Sequence, residues 1–224
     1  MSFLKVQKMD LLIAVYIFCV AAGEIYGAKT MPWGQVDLFG YLLRFNPSVA
    51  IFFLPLVFTI NDIITEVHGK ERARSIIRSS LVVIGLIFLF SWISTSVSPS
   101  ARFASNESAY DTIFGLSMRF SAASIIAYAF SDFLDVFIFA RIREKFGKGR
   151  LWLRNNVSNF ISQFADSLLF LTIAFYDLSM NFSGNFSFIS GILIPYWLLR
   201  CAFSVAETPL VYWGVKWLKS GDSK

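Results

Sequence analysis

Two cysteines, one histidine and a thin supply of charge set the first limits on this chain. Cys19 and Cys201 each fall inside an apolar run. They are too few for a disulfide scaffold or a cysteine metal site, and they read as small core residues. His68 is the sole histidine, which excludes a multi-histidine metal centre. Charged residues make up 16% of the 224 residues, against roughly 25% in soluble domains. No long internal repeat is evident, nothing resembles an ATPase, and no cofactor is expected.

What is present is apolar. Hydrophobic residues reach 56% and aromatic residues 17%, with a mean hydropathy of +0.60. This composition points to an all-α integral membrane protein, a single domain over 1–224. A span needs about 20 mostly apolar residues. Six stretches qualify: about 9–28, 47–68, 75–98, 116–140, 156–178 and 188–218. The last is long enough to tilt or to extend into the cytoplasm. Residues 1–22 have the layout of a signal peptide, Lys5 and Lys8 before Leu11 to Ala22, and are expected to stay as the first span.

The net charge of +5 and pI of about 9.3 could suit nucleic acid, but the bases sit beside apolar spans. That pattern sets topology instead, and no nucleic-acid partner is expected. With the N-terminus inside, fifteen of the twenty Lys and Arg are cytoplasmic. Lys29, Arg44, Arg102 and Arg119 lie outside, and Arg200 lies within a span. The bias predicts a six-helix bundle with both termini cytoplasmic. The first outer loop, 29–46, alternates enough for a short hairpin or a re-entrant piece. The second, 98–115, is polar and reads as a lid or a solvent loop.

The polar residues inside the spans carry the functional signal. The stretch 54–69, LPLVFTINDIITEVHG, places Asp62 and Glu66 four apart, on one helical face. Ser124, Tyr128, Asp132 and Asp135 form a second stripe. Asn155, Asn159, Ser162 and Asp166, with Gln163 alongside, form a third. Tyr196, Arg200, Ser204 and Glu207 form a fourth. A rise of 1.5 Å per residue puts Asp62 about 22 Å from the outer start of its span, and Asp166 and Arg200 near the midplane. A charge facing lipid costs a few kcal/mol, so these groups are expected to face each other or water, with Arg200 and Asp166 as a pair matched in depth. Helix–helix glue explains any single polar residue about as well, at about 0.6 kcal/mol each. A net negative set is harder to explain that way, because glue would balance charge. Glu24, in the outer third of span one, either gates entry or pairs locally with Lys29. Glu66, Asp135 and Glu207 lie nearer the interface.

A negatively biased cavity suits a cation or a donor-rich ligand. A carboxylate can accept two parallel hydrogen bonds from an edge such as N1–H and the 2-amino group of guanine. Phe58, Tyr128, Phe160 and Trp197 are candidates to stack on a flat base. Small residues Ala122, Ala123, Ala127 and Ser131 permit close helix packing, within one protomer or between two. A homodimer is one reading of so thin a wall of helices.

Three blocks resemble the VUT family of queuosine precursor transporters over about residues 24–218. The first is Phe53-Leu54-Pro55-Leu56-Val57-Phe58, then Asn61-Asp62-Ile63-Ile64-Thr65-Glu66-Val67-His68-Gly69, then Ala73-Arg74. His68 stands where the family usually has Tyr. The second is Ala122-Ala123-Ser124 and Ala127-Tyr128, then Asp132 and Asp135, where the family usually has Glu and Asn. The third is Gly149-Arg150-Leu151-Trp152-Leu153-Arg154, then Ser158, Gln163, Asp166-Ser167-Leu168-Leu169-Phe170 and Ala174-Phe175. In span six Arg200 and Thr208-Pro209 match, while Ser204 holds the family's Glu position and Glu207 lies one turn away.

The resemblance implies a bacterial or archaeal multi-pass protein of the cytoplasmic membrane. It implies uptake of a 7-deazaguanine (preQ0, preQ1 or queuine) energised by an ion gradient, and not an enzyme. Asp62, Asn159, Gln163, Asp166, Arg200, Asp132 and Tyr128 are the expected substrate contacts. Glu66, Asp135 and Glu207 are the expected coupling or gating groups. Two other classes stay open: a substrate-capture module that needs an energising partner, and an intramembrane enzyme. His68 at the cytoplasmic surface and the lack of glycines flanking Asp62 and Asp166 weigh against the enzyme.

Overall fold

A computed structural model describes residues 6–38, 41–146, 151–206 and 208–220. Within these ranges some side chains, including those of Asn159 and Arg200, lie outside the described set, as does all of Glu207. The described residues form α1 (Lys8–Tyr26), β1 (Gly34–Leu38), β2 (Tyr41–Phe45), α2 (Leu54–His68), α3 (Lys70–Ser96), α4 (Glu107–Phe146), α5 (Leu151–Phe175), α6 (Phe182–Ala206) and α7 (Thr208–Lys219). The fold is that of an all-α membrane protein. By length and composition, three described segments can cross a membrane: Lys8–Tyr26, Lys70–Ser96 and Ala104–Ile142. Phe160–Phe175 and Phe182–Ile194 are shorter apolar helical stretches.

Of the stretch 47–68, only Leu54–His68 is α-helix. At 1.5 Å per residue that is about 22 Å, short of the roughly 30 Å hydrocarbon core. Ser48 accepts from the Ala50 N–H at 3.1 Å and starts a 3₁₀ turn at Val49–Phe52. Pro55 occupies the first turn of α2, where its missing N–H is not needed. In the stretch 188–218 the described residues are helical on both sides of Glu207, as α6 and α7, and Pro209 stands in the first turn of α7. The loop expected over 98–115 also differs, since α4 is already helical from Glu107 after a 3₁₀ turn at Ala104–Asn106.

Gly69 alone separates α2 from α3. Its φ of 83° and ψ of 164° lie in a region essentially restricted to glycine. The basic patch from Lys70 to Arg74 is therefore the first turn of α3. Arg74 there pairs with Glu71 at 3.2 Å in solvent.

The loop 29–46 does contain a hairpin. β1 and β2 run antiparallel from Gly34↔Phe45 to Leu38↔Tyr41. Trp33 N donates to Phe45 O and Met31 N to Pro47 O, both at 2.9 Å, and a Thr30↔Ser48 bridge closes the base. The hairpin rests on α6 through Asn46 N–H to Gly191 O at 3.4 Å.

α4 is the central helix and packs on α1, α3 and α5. Ser117, Ser121, Ala123 and Ala127 are fully buried. Their small side chains let backbones approach closely, which matters because lipid gives no hydrophobic drive between helices. Ala123 and Ala127 thus serve contacts within one protomer. Phe120 wedges edge-on against Phe170 (5.5 Å) and Phe175 (5.1 Å) of α5. A second cluster joins Tyr16, Ile60, Ile64, Ala73 and Ile76 across α1, α2 and α3. A third joins Leu171 to Ile189, Ile192 and Leu193 across α5 and α6. α7 seats its buried Gly214 against Ile63 of α2. Lys8 Nζ donates to Trp217 O and lies 5.0 Å from the Trp217 ring.

Large apolar side chains cover the outside, among them Phe90 and Trp92 on α3, Phe133 and Val136 on α4, and Trp213 on α7. Water-soluble monomers rarely expose such surface. In a bilayer it is the ordinary lipid-facing wall.

Candidate functional site

A cavity of about 290 Å³ lies where α1, the Pro47–Phe53 segment, α2, α3, α4, α5 and α6 converge. That is near the small end of the roughly 300–1,000 Å³ seen for small-molecule sites. It suits one flat, base-sized molecule better than a large ligand. Its walls are mostly apolar, with Val20, Ile84, Phe120, Phe170 and Leu171 among them. The polar groups are few and convergent: Tyr16 and Glu24 from α1, Ser48, Ser80 from α3, Ser124 and Tyr128 from α4, Asp166 and Ser167 from α5, and Tyr196 from α6. Two carboxylates and no Lys or Arg stand among the described lining residues.

Each polar group is held by its helix. Helical spacing puts Ser124 and Tyr128 on one face of α4. Ser131 Oγ donates to Asp166 Oδ1 at 3.3 Å and links α4 to α5 beside the cavity. Ser167 Oγ donates back to Gln163 O at 3.0 Å. Tyr16 is hydrogen-bonded with Ser80 across α1 and α3, while Ser80 Oγ donates to Ile77 O at 2.7 Å. Glu24 is only 7% exposed. Its Oε1 accepts from Ser124 Oγ at 2.7 Å, and its Oε2 is buried with no hydrogen-bond partner among the described residues.

The cavity therefore gathers part of the expected set. Tyr128 and Asp166 line it. Asp62, Asp132, Gln163 and Glu66 are exposed and Asp135 is half-buried, and none of these lines it. Phe160 and Trp197 meet edge-on at 5.5 Å, outside the lining. Asn159 and Arg200 sit on α5 and α6 with side chains outside the described residues, where Glu207 also falls. Glu24 is the functional candidate that sequence reasoning placed too lightly. A local pair with Lys29 is not among the described ion pairs, and the carboxylate instead reaches Ser124, a hundred residues away. The signal available was an acid buried in an apolar run opposite a serine-bearing stripe.

The turn after α5 is tightly built. Asn185, 2% exposed, accepts from Asp177 N–H and donates to Asp177 O, both at 2.8 Å. Arg119 on α4 donates from Nε to Ile173 O at 2.7 Å and from Nη2 to Tyr176 O at 2.6 Å. Those carbonyls end α5, where a helix leaves acceptors unpaired. Hydrogen bonds from the Ser179 hydroxyl and backbone N–H hold the Asp177 carboxyl below the usual range, with Arg119 adding to the effect.

A family model described as a putative vitamin uptake transporter matches residues 48–214. A probable queuosine precursor transporter of Bacillus subtilis (strain 168) is 29% identical over 195 residues, covering 84% of this chain and 78% of the relative. A queuosine precursor transporter of Escherichia coli (strain K12) is 29% identical over 143 residues, 60% of this chain and 58% of its own length. A probable queuosine precursor transporter of Haemophilus influenzae is 29% identical over 133 residues, 59% and 53% of the two chains. No solved structure matches significantly.

Proposed function

This chain belongs to the putative vitamin uptake transporter family, and we propose that it imports a queuosine precursor, a 7-deazaguanine such as preQ0, preQ1 or queuine. The family is one of transporters and not of enzymes. The observation that carries the substrate reading is the cavity itself: base-sized, apolar-walled, and with two carboxylates but no Lys or Arg among its described lining residues. A flat base with a donor edge is the complement of such walls.

In this proposal six spans cross the cytoplasmic membrane, with both termini inside. That topology puts the cavity from the midplane outward. Asp166 and Tyr128 receive the base there. Asp62, Asp132, Gln163 and Asn159 lie on the cytoplasmic side and take it over on the way in, while Arg200, near the midplane, balances charge. Glu66, Asp135 and Glu207, nearest the inner surface, serve coupling or gating. Ion-coupled secondary transport is the energetic scheme, and a homodimer is the assembly.

The test is uptake of a radiolabelled 7-deazaguanine by liposomes holding the purified protein alone. Accumulation that collapses when the ion gradient is dissipated supports secondary transport. Binding without accumulation, with accumulation restored by a co-purifying ATPase, supports a capture module instead. Failure to bind any 7-deazaguanine overturns the substrate reading.

A further inference from the structure

Resting on the transport reading above, we propose that Glu24 is a specificity-determining residue that reads the donor edge of the incoming base. Three observations meet at this side chain. It is more than nine-tenths buried, it lines the cavity, and one of its carboxylate oxygens lacks any partner among the described residues. A buried polar atom without a hydrogen bond is costly, so an unmade acceptor beside a ligand-sized cavity points to a donor from the ligand. Ser124 supplies the other half of the device. By donating to Oε1 at 2.7 Å it fixes the carboxylate plane and leaves Oε2 as the acceptor still to be used.

The neighbours define what donor fits. The described lining holds serine and tyrosine hydroxyls, the Asp166 carboxylate and apolar walls, with no Lys or Arg to compete for Glu24. A neutral heterocycle with an exocyclic amino group presents such a donor, and a carboxylate oxygen accepts it more strongly than any neutral group. Phe120, in the same lining, supplies an aromatic surface for the flat ring. Glu24 therefore selects bases that carry the 2-amino group against otherwise identical bases that lack it.

The experiment compares binding of 7-deazaguanine and 7-deazahypoxanthine, which differ by that amino group, to the purified full chain in detergent. The variants are Glu24→Gln and Ser124→Ala, with melting temperature recorded for each. Glutamine keeps an acceptor for Ser124 and loses the charge. The expected result is a loss of about tenfold for 7-deazaguanine in Glu24→Gln, the scale of one charge-assisted hydrogen bond. Binding of 7-deazahypoxanthine should change less, so the ratio between the two ligands falls. Ser124→Ala should lower the same ratio by a smaller factor. A Glu24 that only ties α1 to α4 would lower melting and weaken both ligands equally. An unchanged ratio in Glu24→Gln, with wild type binding 7-deazaguanine, overturns this inference and leaves the transport reading standing. Wild type that binds neither base overturns both.

Discussion

Arg119 stands apart from the basic clusters of the chain, and the fold gives it a reason to be there. Its guanidinium reaches from α4 to the last carbonyls of α5 through two short hydrogen bonds. Hydrogen bonds to a charged group are worth about 1.5–3 kcal/mol each, against 0.5–1.5 for neutral ones. A cation at a helix C-terminus adds about 0.3–1 kcal/mol. Arg119 is exposed, so water replaces part of what a substitution removes. A discount from the lower-end sum of about 3 kcal/mol is then appropriate, to about 2 kcal/mol for the pair. At about 2–4 °C per kcal/mol for a chain of this size, Arg119→Gln should melt about 4–8 °C below wild type. Arg119→Lys, a single point of charge that lacks the fork, should fall between the two. The assay is thermal unfolding in detergent micelles followed by circular dichroism. A melting temperature for Arg119→Gln within about 1 °C of wild type would refute the claim that this contact anchors α4 to α5.

Two further outcomes follow from the same packing. Gly214→Ala places a methyl group against the buried Ile63 side chain. It should cost about 1–3 kcal/mol by overpacking, read as a lowered melting temperature that Ile63→Val partly restores. The Asp177 carboxyl titrates below its ordinary value, so its contribution to stability is complete above the unfolded-state pKa of about 3.9. That contribution is lost as pH falls through the depressed folded value. Melting scans from pH 6 down to pH 2 should show an acid-side loss that shrinks in Asp177→Asn. An identical acid limb in the two proteins would contradict the assignment.

The long apolar helices were legible because a bilayer leaves little choice. An apolar run such as 9–28 must close its own backbone hydrogen bonds, and α1 does so almost to the residue expected. The hairpin in 29–46 was legible from its alternation. Interruptions were harder to read. The 3₁₀ turn before α2 follows from local backbone chemistry that hydropathy averages over. Ser124 and Tyr128, which helical spacing groups on one face, both line the cavity, and so does Asp166. Such spacing gives face and depth along one helix, but not which depths of different helices meet. That is why Asp62, Asp132 and Gln163 were expected beside Asp166 and are absent from the cavity lining. It is also why the reach of Glu24 to Ser124 across two helices stayed hidden.

The central claim is that this cavity passes a queuosine precursor, and one measurement addresses it directly. Cells unable to make preQ0 are given this chain and supplied with preQ0, preQ1 or queuine, with queuine tested in a host that can use it. Queuosine in tRNA is then read by slowed migration on a boronate gel. Restoration by at least one precursor, lost in Asp166→Asn although that variant reaches the membrane in equal amount, is the predicted result. Membrane-inserted wild type that restores queuosine with none of the three would contradict the account.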